Sequence, residues 1–92
     1  MELGIVYYSM GEYEKAITTH YKNSELGAYD LSLIATSHVA LDNLDSAREA
    51  AYKSLELESR ATAKLYTKFE TYKNKAKHQL LQERMITAGL PG

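Results

Sequence analysis

Between Leu3 and Met10 the chain is almost wholly apolar, and Gly11 interrupts the run. Apolar residues then recur three and four apart at Tyr13, Ala16, Ile17 and Tyr21. That is the period of a helix with one buried face. Leu26 and Gly27 close this segment, with Gly27 expected in the left-handed conformation that often ends helices. Asp30 is placed to cap a third helix carrying Leu31, Leu33, Ile34, Val39 and Leu41. Asp42-Asn43 supplies a turn without glycine, since both residue types tolerate positive φ. Leu44, Ala47, Ala50, Ala51, Leu55 and Leu57 mark a fourth helix. Leu65, Phe69, Tyr72, Ala76 and Leu80 then follow at intervals of four, three, four and four, one face of a long fifth helix. It should run to about Ile86 before Gly89 and Pro91 end it. Ser59 is the candidate cap between the last two helices. No Gly or Pro forces a turn there, so one continuous helix from Leu44 is the alternative. The expected fold is all-α, with about five helices, the last long.

The pattern also repeats. "GEYEKAITTHYKNSELG" from Gly11 lies over "DNLDSAREAAYKSLELE" from Asp42 at an offset of 31. Gly11 matches Asp42, Tyr13 matches Leu44 and Ala16 matches Ala47; upstream, Leu3, Gly4 and Tyr7 fall over Ile34, Ala35 and His38. Self-similarity at such a period marks stacked helical repeats. Residues 3–26 resemble a tetratricopeptide repeat, whose pattern combines L-G-x2-Y, a turn glycine and A-x3-F. Leu3-Gly4, Tyr7, Gly11 and Ala16 sit at those separations, and "SLELES" at 54–59 is similar to the usual ending of such repeats. Ile34, Ala35, His38, Ala47 and Ala51 stand at the matching places of the second copy.

The resemblance implies one antiparallel α-solenoid domain over 1–92. It would hold a first repeat at 1–27, a degenerate second repeat at 28–59 and a capping helix at 60–88. In physical terms, Gly4, Ala16, Ala35 and Ala47 are small where helices cross closely, and Gly11 reverses the backbone between them. There are departures. The offset is shorter than the family's 34 or so, so the Asp30–Leu41 helix should be short. Ser59 replaces the usual proline, and His20 replaces an aromatic. Met1 falls inside the first helix, so the chain reads as a piece of a longer array or as a pair lacking its N-terminal cap. A microtubule-interacting-and-transport domain is similar to one repeat plus a helix, but two copies fit it less well.

Composition narrows the chemistry. The 92 residues carry no cysteine, which removes disulfides and thiolate metal sites. Apart from Pro91 there is no proline, and no apolar run reaches the 20 or so residues of a membrane span. With no signal-peptide pattern at the start, a cytoplasmic location is the expectation. Residues 1–59 hold four basic side chains against ten acidic ones, a net −6; residues 60–92 hold seven against two, a net +5. The near balance argues for mutual attraction or a solvated face, and against nucleic acid or anionic membrane as the partner of the basic "KNKAKHQLLQERM". His20, His38 and His78 lack metal-ligand spacing; the first two read as packing and the third as solvated. No serine has a neighbouring base, no glycine-rich phosphate loop occurs, and the paired acids lie at helix starts. No enzyme, no cofactor and no metal are expected.

The eight tyrosines are the unusual feature. In the register the resemblance implies, the first helix of each pair lines a concave groove. The lining would be Ile5, Tyr8 and Ser9, then Tyr29, Ser32, Thr36 and Val39, then Tyr66, Glu70 and Lys73. Tyrosine there suits a peptide or helix of a partner protein, acidic ones being favoured by the basic last helix; the alternative is that Tyr8 and Tyr29 pack on a neighbouring repeat or on a second chain. Some of the family clamp a C-terminal carboxylate with Lys and Asn, but the matching positions Ile5, Ser9, Ser32 and Thr36 do not suit that role. Self-association, as a homodimer or by helix exchange, is the second reading, since the apolar first helix needs a cover.

Overall fold

The computed structural model describes residues 3–22, 26–67 and 75–92. All regular structure among them is helical: α1 (Leu3–Ser9), α2 (Tyr13–Tyr21), α3 (Ala28–Ala40), α4 (Leu44–Leu57), α5 (Ala63–Thr67) and α6 (Lys75–Ala88).

Two hairpins are built by the same turn. After α1, the Glu12 amide donates to the Tyr7 carbonyl at 2.9 Å and the Gly11 amide to Tyr8 at 3.0 Å. After α3, Asn43 donates to His38 at 2.8 Å and Asp42 to Val39 at 3.0 Å. These are paired Schellman closures, which need a left-handed residue after the helix. Gly11 supplies it at φ 79° and Asp42 at φ 60°. Every partner in the second turn lies 31 residues beyond its counterpart in the first, so the sequence repeat is matched in the backbone at these turns. A third closure follows α6, with Leu90 donating to Met85 and Gly89 at φ 124°.

Small residues sit where the helices meet. Ala16, Ala35 and Ala47 are fully buried. Gly4 lies under the His20 ring of α2: a Cβ added at Gly4 would stand 2.6 Å from Cε1 and 2.7 Å from Cδ2. The 31-residue counterparts of this pair are Ala35 and Ala51, both buried. One hairpin therefore sets a glycine under a ring where the other has two buried alanines at the equivalent positions. Neighbouring helices touch in order from α1 to α4, and α6 then lies against α3, α4 and α5. The extents of 31 × 27 × 25 Å are nearly equal because α6 returns over the earlier helices. Leu33 and Ile34 of α3 and Leu81 and Met85 of α6 are the largest fully buried apolar side chains.

Several expectations need correction. Gly27 is extended, at φ −87° and ψ 173°, and starts α3 instead of ending α2. Asp30 is the third residue of that helix, and its Oδ2 accepts the Gly27 amide at 3.1 Å. Because α3 begins at Ala28 it has 13 residues and is not short. The continuous helix from Leu44 does not form, since α4 stops at Leu57 and Glu58 turns out to extended geometry. The cap beyond is Thr62, whose Oγ1 accepts the Leu65 amide at 3.0 Å; Ser59 has no such role. Two helices, α5 and α6, replace the single last one. Leu65 and Leu80 of its expected buried face are exposed, while Phe69 and Tyr72 lie outside the described residues. The inward positions are Ala63, Tyr66, Thr67, Leu81, Met85 and Ala88.

Candidate functional site

Of the helices expected to line the groove, α3 and α5 pack against α6, and α1 reaches it through Tyr8 and Arg84. Ile5 and Tyr8 of α1, Ser32 and Thr36 of α3 and Tyr66 of α5 are all buried. Tyr29 and Val39 are half-buried and packed against this core, and Ser9 is exposed. Glu70 and Lys73 lie outside the described residues. The face is thus closed in this structure, not open as the peptide-groove reading requires of an unliganded groove. Burial of two of its hydroxyls is made cheap locally, for Ser32 Oγ donates to the Tyr29 carbonyl at 2.6 Å and Thr36 Oγ1 to that of Ser32 at 2.8 Å. The buried Tyr29 and Tyr66 hydroxyls have no partner among the described residues. Tyr29 and Tyr66 come together, with ring centroids 5.5 Å apart.

At the other end of this face, a cationic side chain enters a tyrosine cluster. Leu81, Arg84, Met85 and Ala88 follow three- and four-residue spacing, so Arg84 shares the inward stripe of α6 with three apolar residues. Its Nη1 donates to the Tyr8 hydroxyl at 3.0 Å and to the Tyr13 hydroxyl at 3.3 Å. The two rings meet edge to face at 5.4 Å, and the guanidinium carbon lies 5.8 and 5.4 Å from their centroids. Burial works against this cation. The hydrogen bonds to Tyr8 and Tyr13 outweigh it, so the Arg84 pKa is held above the ordinary guanidinium value. Beside the cluster opens a cleft of about 100 Å³, lined by Tyr8, Ser9, Tyr13, Lys77, Leu80 and Arg84.

His20, Gly4 and Asp30 form a second polar group in the core. His20 is 1% exposed, and its Nδ1 lies 3.2 Å from Asp30 Oδ1. Burial lowers its pKa below 6.5, and the hydrogen bond and charge of Asp30 offset only part of that. His38, half-buried beside Asn43, is lowered by burial too. The folded chain therefore resists protonation more than the unfolded one, and stability is complete above the ordinary histidine value of 6.5 and declines as pH falls through the folded values. Denaturant titrations should show the loss at up to about 1.4 kcal/mol per pH unit for each histidine, with a shallower slope in His20→Gln.

The structure places the remaining repeat positions as follows. Leu3 begins α1, Tyr7 and His38 are half-buried, and Ile34 and Ala51 are buried. His78 is not simply solvated, for its Nε2 meets the Thr67 carbonyl at 2.9 Å and ties α6 to α5. Arg84 and Lys77 escaped the sequence reading. The available signal was a charged residue inside an apolar i, i+3, i+4 stripe. Among the described residues no group of three His, Asp or Glu side chains is placed to hold a metal ion, and no helix is long and apolar enough to cross a membrane. Compared with models of known protein families, curated proteins and solved structures, the chain matches none.

Proposed function

We propose that this chain is a non-catalytic interaction module of tetratricopeptide type whose surface around α3, flanked by α4 and by Tyr8 of α1, receives an amphipathic helix. The observation that carries the reading is the seat of α6, which buries Leu81 and Met85 completely while leaving Lys75, Lys77, Leu80, Glu83 and Ile86 exposed. A surface that accepts one helix through a few apolar anchors and one arginine is built for helix-in-groove recognition. The recurrence of the hairpin turn at 31 residues supports the repeat assignment. A partner helix displaces α6 or extends its exposed side, and the basic residues there favour an acidic partner.

Adding a fluorescent peptide of residues 75–92 to the full chain tests this. Met85→Ala loosens the resident helix, so the variant should bind the peptide about tenfold or more tightly than the wild type, because less competes for the seat. Absence of binding to both chains contradicts the reading. A second reading, helix exchange between copies, has a specific support: the bonds from Arg84 to Tyr8 and Tyr13 span 76 and 71 residues, and a second copy can make them equally well. In that case, sedimentation of the unmodified chain gives a concentration-dependent dimer.

A further inference from the structure

We propose that the cleft between α1 and α6 is a binding site for a phosphate group, gripped by Arg84 and Lys77. Every charged group lining it is cationic, and among the described residues Arg84 forms no ion pair. A half-buried guanidinium without a counter-charge is an incomplete electrostatic arrangement. The two tyrosine hydroxyls take up Nη1 alone. Nε and Nη2, the edge that receives an oxyanion in bidentate fashion, have no partner among the described residues. Tyr8 and Tyr13 also fix the guanidinium before any ligand arrives, which lowers the entropy cost of binding.

Charge decides the class of anion. Lys77 precedes Arg84 by two helical turns, about 10 Å along the axis, and both side chains reach the same small cleft. A planar carboxylate satisfies the Arg84 fork and leaves the Lys77 charge unmatched. A phosphate monoester carries about two negative charges and three acceptor oxygens, matching both cations. Ser9 lines the cleft from α1, and the volume of about 100 Å³ admits one such group. The ligand is either free inorganic phosphate or a phosphorylated side chain of a partner.

The test follows the arginine Nε–H resonances of the full chain by NMR at fixed ionic strength and neutral pH. Inorganic phosphate, O-phosphoserine in a short peptide, and acetate are titrated in parallel. The expected result is a saturable shift of Arg84 with one or both phosphate probes, and acetate about tenfold weaker. Tighter binding of the phosphopeptide assigns a partner's side chain as the source; tighter binding of inorganic phosphate assigns the free ion. Lys77 is exposed and makes no contact that holds the fold, so Lys77→Gln should keep the helical spectrum while weakening phosphate several-fold; Lys53→Gln, exposed on α4, paired with Glu49 and outside the cleft lining, should not weaken it. No saturable shift, equal affinity for acetate, or unchanged phosphate binding in Lys77→Gln overturns the proposal. The two tests are separable: the peptide experiment contains no phosphate, so its failure leaves Arg84 and Lys77 of the resident α6 to be titrated, and a failed titration leaves the seating of the peptide unaffected.

Discussion

Gly4→Ala is expected to destabilise the protein by about 2 kcal/mol, a fall in Tm of roughly 8–16 °C for a domain this size. Two effects oppose each other. Alanine is favoured over glycine inside a helix by about 1 kcal/mol, so an ordinary exposed position would gain stability. Here the new methyl group falls on the His20 ring, which is fully enclosed and held at Nδ1 by Asp30. Overpacking costs about 1–3 kcal/mol. Pushing the ring away from Asp30 adds roughly 1–3 kcal/mol more by stranding a buried polar pair. The clash wins. Thermal and urea denaturation read the effect, and shrinking the ring by His20→Ala in the same chain should remove most of the added penalty of Gly4→Ala. A rise in Tm for the single variant would mean that the helices do not approach there.

Met85→Ala should cost about 2–5 kcal/mol, the range for emptying a buried long side chain. A chain of this length has a total stability of roughly 5–14 kcal/mol, so a large share is lost at one position. The loss should also be local. Met85 and Leu81 are the largest anchors of α6, whereas α1–α4 retain their hairpin turns and the Leu33–Ile34 core. Amide exchange should accelerate first in α6 and α5, with α3 amides still slowest. A loss below about 0.5 kcal/mol, the level of an exposed substitution, would place Met85 in solvent.

These effects separate what was legible from what was not. The first hairpins could be read because each pairs an apolar three-and-four spacing with a residue that tolerates positive φ, Gly11 or Asp42. The small positions at Gly4, Ala16, Ala35 and Ala47 could be read because helix crossings exclude bulk. The groove face could not. Helix α3 is buried at every residue from Leu31 to Ser37, because α2, α4 and α6 surround it, so no periodicity marks which side faces what. Ser32 and Thr36 look like surface residues, yet each satisfies its hydroxyl on its own helix and goes inside.

The end of the chain misled for a related reason. Leu80 and Leu81 are adjacent, and either can continue a helical stripe. Spacing back to Leu65 selects Leu80, but the structure selects Leu81, whose four-residue step leads to Met85. A charged side chain at position 84 further hid the inward face. Arg84 is tolerated there because two tyrosine hydroxyls receive it, a pairing across more than 70 residues that no local pattern announces. The left-handed ending expected at Gly27 failed because Asp30 captures the Gly27 amide and recruits the glycine to the next helix.

That α6 closes over the paired helices of its own chain is what the proposed helix seat depends on. An isotope-filtered NOE experiment on an equal mixture of labelled and unlabelled protein tests it. Contacts from the Arg84 side chain to the Tyr8 and Tyr13 rings are expected within single molecules. Their absence, or their appearance only between labelled and unlabelled chains, would contradict the account.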